Sequence, residues 1–153
     1  MINGKIMSIE VKGRLKLMSG ENFYEQVQKK PLFFMIYSII AILFFTGITF
    51  TFVIPGLQGF KWYFLFVALL IYFLVANIFA GLFKERLSLV FIISFIFSSL
   101  GMGWRLWLEW GEFSLVEHMN PVVLIGYPCI IAFVILLMFY FSSKFKIKNG
   151  NYR

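Results

Sequence analysis

The side chains from which most catalytic sites are built are few in this chain of 153 residues: Glu10, Glu21, Glu25, Glu85, Glu109, Glu112, Glu117, one histidine (His118) and one cysteine (Cys129), with no aspartate. A Ser-His-Asp arrangement, an aspartic dyad and the aspartate-rich magnesium sites of phosphoryl transfer therefore all lack their carboxylate. Cys129 lies inside an apolar run and has no second cysteine, which excludes an intrachain disulfide and a dithiol exchange pair. The chain reads as non-catalytic, with no cofactor and no metal; the enzymatic alternative is action on a lipid headgroup through Glu112, Glu117 or His118.

What polar chemistry remains is concentrated in WRLWLEWGEFSLVEHMNP, Trp104 to Pro121, which holds three of the seven acidic residues and the histidine. If a helix continued into it, Arg105 and Glu109 would stand four apart and Glu109 and Glu112 three apart, on one face. Trp104, Trp107 and Trp110 recur every three residues as a drifting aromatic stripe, and Gly111 then weakens the helix. Tryptophan is enriched both at binding hot spots and at membrane interfaces. Trp107, Glu109, Trp110 and Glu112 are accordingly the candidate contact surface for a partner, with interfacial anchoring the plainer role for the tryptophans. Glu117 and His118 form a candidate polar site. Being adjacent they point apart on a helix and match no metal-ligand spacing, and a surface histidine in the turn before Pro121 is the plainer reading.

This segment is held by elements that belong in lipid. Hydrophobic residues make up 61% of the chain and charged residues 14%, against about 25% charged in ordinary soluble domains. Four apolar runs, about 32–54, 62–83, 87–107 and 122–141, are each long enough to cross a hydrocarbon core of about 30 Å as a helix. The fold expected is an all-α membrane protein, a four-transmembrane-helix bundle of antiparallel neighbours over 32–143, with one longer extracytoplasmic segment between the third and fourth helices. Pro55, Gly56, Gln58 and Gly59 mark a tight turn. The charged break Lys84, Glu85, Arg86 predicts that the second and third spans pair as a helical hairpin. Arg105 is expected to extend outward to the headgroups, and Gly126 with Pro128 predicts a bend in the last span.

Residues 1–31 form a basic segment too charged for a secretory leader. Ile9, Val11, Leu15 and Leu17 alternate with charged residues as a strand would. Ser19 caps a short interfacial helix over Glu21 to Lys30, whose Phe23 and Val27 are expected to touch the membrane surface. The tail 144–153 alternates again from Lys144 to Lys148; the two alternating segments could pair, and the plainer reading is a pair of mobile basic flanks. With four spans both termini share a side, and that side carries twelve of the 14 lysines and arginines. The positive-inside bias places both termini in the cytoplasm and Trp104 to Pro121 outside, in the plasma membrane of a bacterium. The net charge of +7 then serves topology, not nucleic acid.

No span carries an ionisable residue at its centre, which argues against proton-coupled transport. The polar and small residues within the spans are Asn77 and Gly81, four apart, and Ser94 and Ser98, four apart with Ser99, Gly101 and Gly103 close by, all read as helix-packing positions. Small multidrug transporters need a carboxylate in the first span, disulfide-generating membrane enzymes need paired cysteines, and lipoprotein signal peptidases need two aspartates; none is present. The function expected is an accessory, regulatory or immunity-type partner of another membrane component, in contact with the bilayer and with another integral protein or with copies of itself. The alternative is a small transporter or channel that forms its pathway by self-association.

Overall fold

The computed structural model describes residues 20–53, 60–84, 86–108 and 120–150, except for the side chains of 20–22, 53 and 145–150. All the described regular structure is helical: α1 Gly20–Lys29, α2 Pro31–Val53, α3 Trp62–Leu82, α4 Leu87–Leu108 and α5 Pro121–Gly150. Four of these helices are long and apolar enough to cross a membrane, over Pro31–Phe52, Trp62–Leu82, Leu87–Leu108 and Pro121–Lys144. At 1.5 Å per residue each reaches about 30 Å or more, the hydrocarbon thickness of a bilayer. All four expose apolar side chains to the outside, among them Ile36 and Ile40, Phe66 and Leu70, Ile92 and Ile96, Ile130 and Phe133. Such a continuous apolar surface is stable against hydrocarbon and costly against water.

Local chemistry sets where each helix begins and ends. Pro31 opens α2 after a bend at Lys30, where its missing N–H leaves no donor unmet. The Lys61 N–H donates to the Phe52 carbonyl, Phe64 stacks on Phe52 with centroids 4.1 Å apart, and the Lys61 ammonium lies over the Phe52 ring, so α2 and α3 form an antiparallel hairpin. At the end of α3 Lys84 takes φ 33°, a left-handed conformation, and the Arg86 N–H closes the turn on the Phe83 carbonyl. Asn120 caps α5 by accepting from the Val122 N–H at 2.9 Å, with Pro121 in the first helical position.

The four long helices form a ring in the order α2, α3, α5, α4. The expected hairpin of the second and third spans is therefore corrected: α3 and α4, though consecutive, face each other across the diagonal, and each packs on α2 and α5 instead. The reason lies in glycine. Gly47 on α2 and Gly101 on α4 let these two backbones meet, so that a Cβ built on Gly101 would stand 2.5 Å from the Leu43 carbonyl oxygen. This contact makes α2 and α4 parallel neighbours, with Leu43 beside Gly101 and Thr51 beside Arg105 further along both helices. Phe50, Tyr72, Phe79, Phe139, Ile42 and Ile135 fill the middle of the ring.

Two expectations about the flanking segments are also corrected. Val27 of α1 does not touch the membrane surface: it is fully buried on α3, its Cγ1 2.9 Å from where a Cβ on Gly81 would stand. The Tyr24 hydroxyl donates to Asn77 Oδ1 at 3.1 Å, and burial raises the phenol above its ordinary pKa. The amphipathic helix thus finds a better apolar partner in α3 than in the headgroups. The segment from Lys144 to Lys148 is not a strand but the continuation of α5, because a helix satisfies its backbone internally whereas a lone strand cannot. Residues 9–17 and the turn 54–59 lie outside the described residues, as does Ser19. α5 runs as one helix through Pro128.

Candidate functional site

Among the described residues, a group of buried polar side chains lies on α2 toward the end where α4 stops and α5 starts. Thr46, Thr49 and Thr51 are all buried there. Thr49 donates to the Phe45 carbonyl at 2.7 Å, which leaves its oxygen to accept from the Tyr127 hydroxyl at 2.6 Å. That Tyr127 hydroxyl also lies 3.4 Å from the Thr46 carbonyl, and the Thr46 hydroxyl lies 3.3 Å from that of Tyr72. Tyr127 thereby reaches across the diagonal from α5 to α2, and its ring meets Phe50 edge-on at 5.2 Å. Each group satisfies another inside the packed ring, so the cluster holds helices together.

Arg105 and Trp104 belong to the same region. The Arg105 Nε–H donates to Thr51 Oγ1 at 2.7 Å, so the side chain turns onto α2 where the sequence predicts that it extends outward. A threonine hydroxyl on a neighbouring helix is a good acceptor within an apolar bundle. Trp104 is half-buried and its indole N–H points at the Leu43 carbonyl, 3.4 Å away. Trp107, three residues on, is 74% exposed at the end of α4. Three residues turn an α-helix by about 300°, so the tryptophan stripe separates into one ring that packs and one that faces out.

The remaining predicted positions divide clearly. Glu109, Trp110, Glu112, Glu117 and His118 lie outside the described residues, so the contact surface is represented by Trp107 alone. Asn77 and Gly81 come together under α1, with the Asn77 amide also donating to the Phe73 carbonyl at 2.8 Å. Ser94 and Ser98 are fully buried on successive turns of α4, yet neither hydroxyl has a hydrogen-bond partner, and nor has Ser142 on α5. Cys129 is half-buried within α5. Sequence reasoning passed over Thr46, Gly47, Thr49 and Thr51 in α2, although four small or hydroxylated residues in six positions of an otherwise bulky span are a visible signal. It also passed over Tyr72 and Tyr127, for which nothing distinguishes a bonded hydroxyl from one at an interface.

Between α2 and α4, on the outer side of the Gly47–Gly101 contact, Ile40, Leu43, Phe44, Leu100 and Trp104 line an open apolar groove of about 480 Å³. Set against protein-family models, curated proteins and solved structures, the chain matches none.

Proposed function

We propose that this is a non-catalytic, four-span protein of a bacterial cytoplasmic membrane that acts as an accessory, regulatory or immunity-type partner of another membrane component. The observation that carries the reading is the outward face of α4. Gly103 is exposed there with nothing within 4 Å of where a Cβ would stand, one turn before the exposed Trp107. A glycine facing lipid lets a foreign helix approach closely, and an adjacent exposed tryptophan is the residue type most often found at the centre of an interface. The arrangement of charge supports both termini lying in the cytoplasm. Among the described residues Lys29, Lys30, Lys84, Arg86 and Lys144 sit at the α1 end of the bundle, and Lys61 and Arg105 at the other.

The second reading, a homo-oligomeric channel or transporter, is less well supported. The hydroxyls that would line a route, on Thr46, Thr49, Tyr72 and Tyr127, are buried within one chain and bonded to each other. The test is purification in a mild detergent from the native membrane. A stoichiometric heterologous protein that is lost with Gly103→Leu and with Trp107→Ala, but kept with Ile130→Ala, supports the partner reading. A homo-oligomer that conducts a solute supports the second, and a monomer with unchanged biological activity in both variants overturns both.

A further inference from the structure

We propose that α5 is hinged at Gly126–Pro128 and that the Tyr127 hydroxyl is the catch that holds it closed over the buried hydroxyls of α2 and α3. The weakness is in the backbone. Pro128 has no N–H to donate to the Leu124 carbonyl and its ring crowds that carbonyl, so the helix loses a bond and gains a steric push within a single turn. Gly126 stands in the same turn. Gly47, Gly81 and Gly101 each admit a close neighbour, whereas nothing lies within 4 Å of where a Cβ on Gly126 would stand. Close packing does not require a glycine there, so what Gly126 contributes to α5 is a looser backbone.

Orientation gives the hinge a direction. Pro128 is buried, on the packed side of α5. A proline pushes the preceding turn away from its own side of the helix, which here tips the start of α5 outward, away from α2. Tyr127 opposes that push. It is buried beside Pro128, and its hydroxyl crosses to α2, 2.6 Å from Thr49 Oγ1 and 3.4 Å from the Thr46 carbonyl. α2 and α5 stand diagonally in the ring and have little direct packing, so this side chain is the main tie between them. The arm beyond the hinge is built as one unit: Asn120 caps it, its side chain accepting from the Val122 N–H and its carbonyl from the Val123 and Leu124 N–H groups. Val123 and Leu124 pack against the core while the catch is made. Its release lets that turn swing as a body and opens the end of the ring over Thr46, Thr49 and Tyr72, since closures of this kind turn on a few residues that absorb the backbone change. This inference stands on the membrane-spanning bundle alone and is independent of the partner reading.

The test is the rate at which a water-soluble maleimide labels Thr46→Cys in the full chain in nanodiscs, in a Cys129→Ala background. Tyr127→Phe and, independently, Thr49→Val remove the catch with little change of shape and should raise the rate about three-fold, the factor carried by one interhelical hydrogen bond in a membrane. Adding Pro128→Ala to either should return the rate to its starting value, because the turn regains its bond and loses the push. Ser142→Cys, buried toward the other end of α5, is the control and should label at one rate in every variant. An unchanged rate at Thr46→Cys in both catch variants overturns the inference. So does a raised rate that persists with Pro128→Ala, or an equal rise at Ser142→Cys, either of which means general loosening of the bundle. Where circular dichroism shows that neither catch variant folds, Pro128→Ala alone decides: slower labelling is expected, and an unchanged rate overturns the hinge.

Discussion

Two stretches of α4, a glycine half toward its end and a serine half before it, are buried on opposite terms. In its last two turns the helix meets α2 through Gly101, and its polar groups have partners there: the Trp104 N–H points at the Leu43 carbonyl and the Arg105 Nε–H at the Thr51 hydroxyl. Toward its middle Ser94 and Ser98 are buried as well, but their hydroxyls have no partner among the described residues. Lipid provides no hydrophobic force to drive helices together, so close contact and matched hydrogen bonds must do it. The Gly101 half therefore determines which helix α4 chooses as its neighbour. The serine half fills space and carries the desolvation cost of two hydroxyls that lack compensation.

This contrast fixes a ranking of substitutions. Gly101→Leu should do the most damage, because the added Cβ meets backbone and cannot be relieved by a rotamer change; a loss of about 3 kcal/mol or more is expected, at the upper end of overpacking effects. Thermal unfolding followed by size-exclusion fluorescence would register it, and a wild-type melting profile would mean that α2 and α4 do not touch there. Thr51→Val keeps the shape and removes the acceptor for Arg105 together with the long bond that the hydroxyl donates to the Gly47 carbonyl, so a loss of about 1 kcal/mol is expected in mixed-micelle unfolding, within the range for interhelical hydrogen bonds in membranes. Ser98→Ala should leave stability unchanged or raise it by up to about 1 kcal/mol, since an unpaired buried hydroxyl is removed. A loss as large as that of Thr51→Val would show that the serine half is bonded after all, and the contrast would disappear.

The same contrast separates what the sequence tells from what it withholds. The four spans and the placing of basic residues at one end of the bundle follow from uncharged runs and short charged breaks, and helix bounds such as Trp62–Leu82 and Leu87–Leu108 lie within one residue of those read from the sequence. The order of helices around the ring is another matter. It depends on Gly47 meeting Gly101, and nothing in a single sequence connects a glycine in one span with a glycine in another. The hairpin expected at Lys84 to Arg86 came from the shortness of the link, which limits how far apart two helix ends lie but not which faces meet. Likewise Trp104 and Trp107 are alike in sequence and differ only once α2 takes its place against one side of α4. Val27 was recognisable as the apolar face of a short helix, whereas its burial on Gly81 required knowing where α3 stands.

The parallel contact of α2 with α4 is the central claim, and cysteine cross-linking in intact membranes tests it most directly. In a Cys129→Ala background, Phe44→Cys with Leu100→Cys places one thiol on each wall of the α2–α4 groove. Phe73→Cys with Ile96→Cys places thiols where α3 and α4 would meet if they paired as a hairpin, on side chains that are both exposed instead. The ring order α2, α3, α5, α4 predicts rapid cross-linking by a short bifunctional reagent for the first pair and none within the chain for the second. Cross-linking of the second pair in preference to the first would contradict it.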